Sequence, residues 1–175
     1  MDTSSNTDSK WLNITTPYAT HRRLLLKALK AATGPVIELG IGPESTPYLR
    51  DFCFAHNRYL VSCESNAEWF AKFKDLHCPA HQVLLVKPDY SDAPIETLFW
   101  GVAFVDSAPC AQRHVDAIRL AERAQIVVIH DTELDHTDYQ LELVWPHYRY
   151  RLNDNNGGPT PWTSAVSNYL DLTKL

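Results

Sequence analysis

The stretch VIELGIGPES, residues 36–45, runs from a short apolar segment into a turn carrying glycines at 40 and 42. An apolar run ending in glycines is the pattern of a buried strand entering a tight turn. Glycine there permits backbone angles closed to other residues and lets a ligand press on bare backbone. Ser45 or Thr46 then caps a helix over 46–56, with Pro47 in its first turn. The segment therefore reads strand, turn, helix.

Working outward, the same alternation continues. Upstream, Leu24, Leu25, Ala28, Leu29 and Ala32 recur at helical spacing, with Arg22, Arg23, Lys27 and Lys30 on the other side. Gly34-Pro35 ends that helix. Downstream, RYLVSC (58–63), QVLLV (82–86), VAFV (102–105) and IVVI (126–129) read as four more strands. Helices are expected over 66–76, with Trp69, Phe70 and Phe73 on the apolar face, over 111–123 and over 137–145. Residues 148–152 and 164–170 alternate and flank a turn-rich connection, which predicts an antiparallel hairpin. Alternating β and α at this spacing specifies an α/β fold. The expected architecture is a Rossmann-like three-layer sandwich: a seven-stranded, mostly parallel sheet with a terminal antiparallel hairpin.

Composition is consistent with one domain. The chain has 175 residues, 45% hydrophobic, with a net charge of -5. Residues 1–17 read as a polar N-terminal tail and 18–175 as the domain. A chain-wide basic footprint is missing, so nucleic acid is an unlikely partner, although Arg22, Arg23, Lys27 and Lys30 lie close together. No signal-peptide pattern opens the chain, and no apolar run approaches the roughly 20 residues of a membrane span. Free thiols at Cys53, Cys63, Cys78 and Cys110 are the expectation in a core of this size, so a cytoplasmic location follows.

The dinucleotide fingerprint GxGxxG is incomplete in this turn, because Ser45 stands at its third glycine. Glu38 precedes Gly40 by two residues, and this E-x-G-x-G pattern resembles motif I of the class I (Rossmann-like) S-adenosylmethionine (SAM)-dependent methyltransferases. Glu64 ends the second strand, where that family places an acid on the ribose hydroxyls; a carboxylate can accept two hydrogen bonds from a vicinal diol. Asp89 and Tyr90 follow the third strand, where the family often sets an acid or aromatic by the adenine. Asp106 ends the fourth, where it often has an acidic motif by the methyl centre. The resemblance covers about residues 20–172. It implies SAM as cofactor, held by Glu38, Gly40, Gly42, Ser45, Thr46, Glu64, Ser65, Asp89, Tyr90 and Asp106. It also implies methyl transfer to an acceptor, read here as a small molecule because no added recognition domain exists.

His130-Asp131-Thr132-Glu133, followed by Asp135 and His136, closes the fifth strand beside Asp106. Asp106, His130 and Asp131 are the candidate catalytic residues, with His130 either a general base or a structural histidine. In catechol-type members of the superfamily an Asp after the fourth strand and an Asp-Asn after the fifth hold a divalent metal. Asp106 and Asp131 match; Thr132 replaces the Asn, and that group's lysine after the fourth-strand Asp is absent. A divalent metal here, or a carboxylate pair without one, are both open. Arg113 and His114 read either as an anion-binding pair or as the start of a solvated helix face. Gly157 to Trp162 reads as an acceptor wall or a plain connection. Cys53-x-x-His56 and Cys78-x-x-His81 repeat a spacing that could supply four zinc ligands, against buried thiols and surface histidines. The competing functions are a nucleoside-binding module without methyl transfer and an NAD-dependent oxidoreductase.

Overall fold

A computed structural model describes residues 9–133, 138–155 and 161–175. Seven strands form one sheet: β1 (Val36–Leu39), β2 (Leu60–Glu64), β3 (His81–Leu85), β4 (Trp100–Val105), β5 (Ala124–His130), β6 (Tyr150–Asp154) and β7 (Thr163–Ser167). Their order is β3-β2-β1-β4-β5-β7-β6. Strands β1 to β5 pair in parallel, while β7 inserts antiparallel between β5 and β6. The expected α/β sandwich with a terminal antiparallel pair is the observed architecture.

Alternation along the central strands sorts side chains into two cores. Ile37, Leu39, Ala103, Val105, Val127 and Ile129 face one side; Val36, Val102, Phe104, Ile126 and Val128 face the other. Helices α1 (Arg22–Ala31) and α2 (Thr46–Ala55) cover the second side. Helix α4 (Gln112–Arg119), the 88–97 loop and 3-10 turns at Leu141–Leu143 and Trp145–His147 cover the first. The central strands are fully buried because both faces are covered, which is why they read as continuous apolar runs.

Several expectations are corrected. The helix over 66–76 is only α3 (Ala67–Phe70) plus a 3-10 turn at Lys74–Leu76, and none of its residues is buried. Its aromatics lie at the rim of the sheet. The helix over 137–145 is replaced, from 138 onward, by the two short 3-10 turns; residue 137 lies outside the described residues, as do Asp135, His136 and 157–160. The tail over 1–17 lies outside the described residues up to residue 8. Beyond that, Trp11 is buried, its ring 5.5 Å from Tyr48 and 6.2 Å from Phe52 of α2. A single Trp can bury about 150–250 Å², so one aromatic anchors a polar segment that has no periodicity of its own. Among the described residues no helix is long and apolar enough to cross a membrane.

The order of strands reverses between β1 and β4, and the crevice beyond the carboxyl ends at such a reversal is the place where open α/β sheets bind ligands. Gly40 lies at its floor with φ +97°, and a Cβ there would sit 2.3 Å from the Asp106 carbonyl oxygen. Gly42 has no such constraint; its Cβ would meet the Ser45 hydroxyl at an ordinary 3.6 Å. Gly40→Ala is therefore expected to destabilise the fold by about 2–4 kcal/mol, while Gly42→Ala changes it by less than about 1. Urea denaturation of the two variants checks this; equal losses would show that the β1–β4 approach is not as close as described.

Candidate functional site

Glu38 lies on the α1/α2 side of β1 and is fully buried. Ser45 donates its hydroxyl to Glu38 Oε1 at 2.5 Å, and Thr46 donates to both carboxylate oxygens at 3.0 Å. Gly42 N–H in turn donates to Thr46 Oγ1 at 3.0 Å. The carboxylate thus ties the end of β1 to the first turn of α2, where the helix dipole also favours an anion. Burial pushes its pKa up to about 7, against the lowering pull of its hydroxyl donors. Of the residues expected to contact a cofactor, Glu38, Ser45 and Thr46 hold the turn from beneath.

The crevice above the turn has a volume of about 380 Å³ and is lined by Gly40, Ile41, Glu64, Asn66, Trp69 and Asp106, among others. Glu64 is 6% exposed and accepts three backbone N–H groups: Ile41 at 3.2 Å, Ser65 at 2.9 Å and Asn66 at 2.8 Å. A carboxylate offers about four acceptor positions, so capacity for a ligand hydroxyl is left. Ser65 donates its hydroxyl to the Ala108 carbonyl at 3.1 Å, joining the two walls. Asp89 and Tyr90 do not line the crevice. Asp89 accepts the Ser91 N–H of its own turn at 3.1 Å, and Tyr90 is fully buried in the core. Tyr90 has a left-handed backbone, φ +52°, and its ring belongs to the core on the α4 side of the sheet.

A second chamber, about 600 Å³, adjoins the first and shares Trp69 and Asp106 with it. Its wall includes Tyr18, His21, Glu44, Arg113, His130 and Asp131. Arg113 reaches from α4 between two strand ends. It contacts Asp106 Oδ1 and Asp131 Oδ2, each at 2.8 Å, and donates to the carbonyls of Ser107 and His130 at 2.9 and 3.0 Å. At 5% exposure it is a structural clamp, neither a free anion receptor nor a solvated face. Burial alone would raise Asp106, but His130 and Arg113 outweigh it and hold the carboxyl at about 2. His130 is raised: burial opposes its charge, and Asp106 and Asp131 more than offset that.

The catechol-type arrangement does not fit these residues. The Arg113 guanidinium occupies the space between Asp106 and Asp131 that a bridging ion would need, and the Thr132 hydroxyl is engaged by Ser164 at 2.7 Å. The C-x-x-H pairs do not assemble among the described residues. Cys53 is in the core, His56 stacks on Phe52, and His81 bonds Ser62 at 2.9 Å.

Two residues at this site carry no chemical signal in the sequence. His21 precedes α1 and arrives over the strand ends, its ring 4.8 Å from that of His130. Trp69 donates its indole N–H to the Ile41 carbonyl at 2.6 Å and stands between the two cavities. Glu44 does not face solvent freely: its carboxylate pairs with Arg22 and its carbonyl accepts the Arg22 Nε–H at 2.9 Å.

Comparison with protein-family models and with curated proteins gives no match. Solved structures do match. The human METTL16 catalytic domain, in complex with the MAT2A 3′UTR hairpin 1, aligns with a TM-score of 0.61 at 14% identity, over 89% of this chain and 71% of that one. The N-methyltransferase NodS of Bradyrhizobium japonicum aligns at 0.60 and 8%, over 86% and 94%. Aeropyrum pernix fibrillarin with natively bound S-adenosyl-L-methionine aligns at 0.57 and 9%, over 81% and 73%. At these identities the likeness establishes the fold: the chain has the class I, Rossmann-like methyltransferase fold.

The raised Glu38 has a pH consequence. Its folded value of about 7 lies above the ordinary 4.5, so the folded state holds the proton more tightly. That contribution to stability is present below pH 4.5 and is lost as pH rises through 7. Glu38→Gln keeps the shape and removes the titration. Relative to wild type, the variant should gain stability between pH 5 and pH 8 by on the order of 1–3 kcal/mol. Denaturation curves at the two pH values measure the difference, and a gap that does not change with pH would count against a protonated Glu38.

Proposed function

We propose that the chain is a SAM-dependent methyltransferase whose acceptor is a small molecule. The observation that carries this reading is the meeting of two cavities at Asp106 and Trp69, one at the sheet's switch point and one beside it. Methyl transfer by in-line displacement needs donor and acceptor to approach from opposite sides of one carbon, and two chambers with a common wall supply that alignment. SAM occupies the smaller crevice, a ribose hydroxyl on Glu64 and its methionine part over the Gly40–Gly42 turn. Asp106, held ionised, faces the cationic end of the cofactor. Of the expected cofactor contacts, Gly40, Glu64 and Asp106 line this crevice, Gly42 lines the larger chamber, and Ser65 joins the crevice walls through the Ala108 carbonyl. Glu38, Ser45 and Thr46 support the turn, and Asp89 and Tyr90 have no part in this pose.

The acceptor enters the larger chamber. Its aromatic and proline lining, with Tyr18, Trp69, Pro43 and Pro161, suits a compact, partly apolar molecule. A net charge of -5 works against an RNA acceptor of the kind seen bound to METTL16. His130 is not an unencumbered base, because carboxylates face its Nδ1 and Thr20 faces its Nε2. Its part is to orient Asp131 and Asp106 at the chamber floor. Four free thiols suit a reducing, cytoplasmic setting.

S-adenosylhomocysteine should raise the melting temperature by mass action. Glu64→Ala should weaken that binding about 5- to 150-fold, the equivalent of 1–3 kcal/mol for a lost, partly buried acceptor. Glu68→Ala, at the exposed rim of the same crevice, should change it less than about twofold, as solvated contacts do. No melting shift at millimolar ligand would overturn the reading.

Asp131→Ala should leave S-adenosylhomocysteine affinity intact and abolish transfer of a labelled methyl group. Incubating labelled SAM with the dialysable fraction of a cell extract, and separately with total RNA, identifies the acceptor class. Label appearing in the RNA alone would refute the small-molecule assignment.

A further inference from the structure

We propose that His21, His130 and Asp106 bind a divalent transition-metal ion on the wall of the larger chamber. One donor atom from each residue lies within 4.8 Å of the others, and all three residues line that cavity. The ligand set differs from the Asp106–Asp131 pair bridged by Arg113. It adds an imidazole from the segment ahead of α1 and leaves the guanidinium in place.

The surroundings of the two rings suit a cation. Thr20 Oγ1 lies 2.9 Å from His130 Nε2 and 3.0 Å from the Pro17 carbonyl, so the Nε2 side of the ring is engaged. His130 Nδ1 faces Asp106 Oδ1 at 3.4 Å and Asp131 Oδ1 at 3.5 Å, a position that favours a cation, whether a proton or a metal ion. His21 separates a metal ion from a proton. Its Nε2 is 3.3 Å from the Glu44 carbonyl, which can only accept. Its Nδ1 is buried with no hydrogen-bond partner, in a residue 1% exposed. An imidazole that donates one N–H to a carbonyl or hydroxyl and leaves the other nitrogen bare is oriented as metal-binding histidines are.

The spacing agrees. Bonds of about 2.1 Å at tetrahedral angles set neighbouring donors about 3.4 Å apart, the separation found between His130 Nδ1 and Asp106 Oδ1. Two imidazoles and a carboxylate suit zinc and its first-row neighbours over calcium or magnesium. Asp106 and Asp131 against Arg113 leave one net negative charge beside the ion. Three protein ligands leave an open position toward the chamber, where a bound ion would polarise an oxygen or nitrogen of an entering acceptor.

The test uses the full chain, freed of metal by chelator and titrated with Zn²⁺ by calorimetry and with Co²⁺ by visible absorption. One equivalent should bind, at micromolar Kd or tighter, with Co²⁺ bands of a four- or five-coordinate site. His21→Gln and His130→Gln should each weaken binding at least 100-fold, while His56→Gln and Cys78→Ser leave it within about twofold. Because a ring substitution can also disturb the fold, X-ray absorption of the zinc-loaded wild type gives an independent reading: two imidazoles, oxygen and no sulfur. Absence of a bound equivalent, a sulfur ligand, or undiminished binding in His21→Gln would each overturn the proposal. Measuring S-adenosylhomocysteine binding on the same samples keeps the two readings apart. Cofactor binding without metal sinks only the metal site, and metal without cofactor sinks only the methyltransferase.

Discussion

The buried carboxylate of Glu38 is the constraint on which the site depends. It sits where β1 ends and α2 begins, and it is the acceptor for the hydroxyls of both Ser45 and Thr46. Those two side chains, with Gly42 N–H on Thr46, hold the intervening turn in one shape. The turn's shape decides where Ile41 lies, and Ile41 in turn bonds Glu64 through its N–H and Trp69 through its carbonyl. A protonated or ionised acid buried this deeply is costly unless every acceptor position is used, which is why the hydroxyls come with it. The result is a rigid floor beneath the crevice.

Arg113 does for the second chamber what Glu38 does for the first. It enters from α4 and bonds side chains and carbonyls at the ends of both β4 and β5. Four acceptors around one guanidinium match its planar fork, a role an ammonium could not fill in the same geometry. Asp131 leaves β5 with φ +56°, a left-handed conformation that Asp tolerates better than most residues. That reversal turns its carboxylate back toward Arg113 and His130. The chamber's charges are therefore arranged before any ligand arrives, the condition under which electrostatic interactions act without reorganisation.

Much of this was legible in the chain itself. Apolar runs at 36–39, 102–105 and 126–129, spaced by helical stretches, determined a parallel sheet, because periodicity is a local property and both faces of these strands are buried. The alternating segments after residue 148 determined the antiparallel pair for the same reason. Glycines at 40 and 42 and acids at 64 and 106 marked the crevice, since strand ends at a reversal of order are where such residues are tolerated.

Tertiary structure alone decided how those residues are used. Glu38 looks like a ligand contact in sequence; only its burial against α2 shows that it holds the turn. Arg113 looks like a helix-face cation, yet contacts to two strand ends absorb its charge. His21 and Trp69 had no motif to flag them, because their positions come from α1 and the post-β2 segment folding over strands distant in sequence. Asp89 and Tyr90 were placed by analogy, and the Tyr90 ring belongs to the core. Local pattern determines which segments are strands and helices. Which side chains meet is decided by strand order and long-range packing, and those are properties of the whole chain.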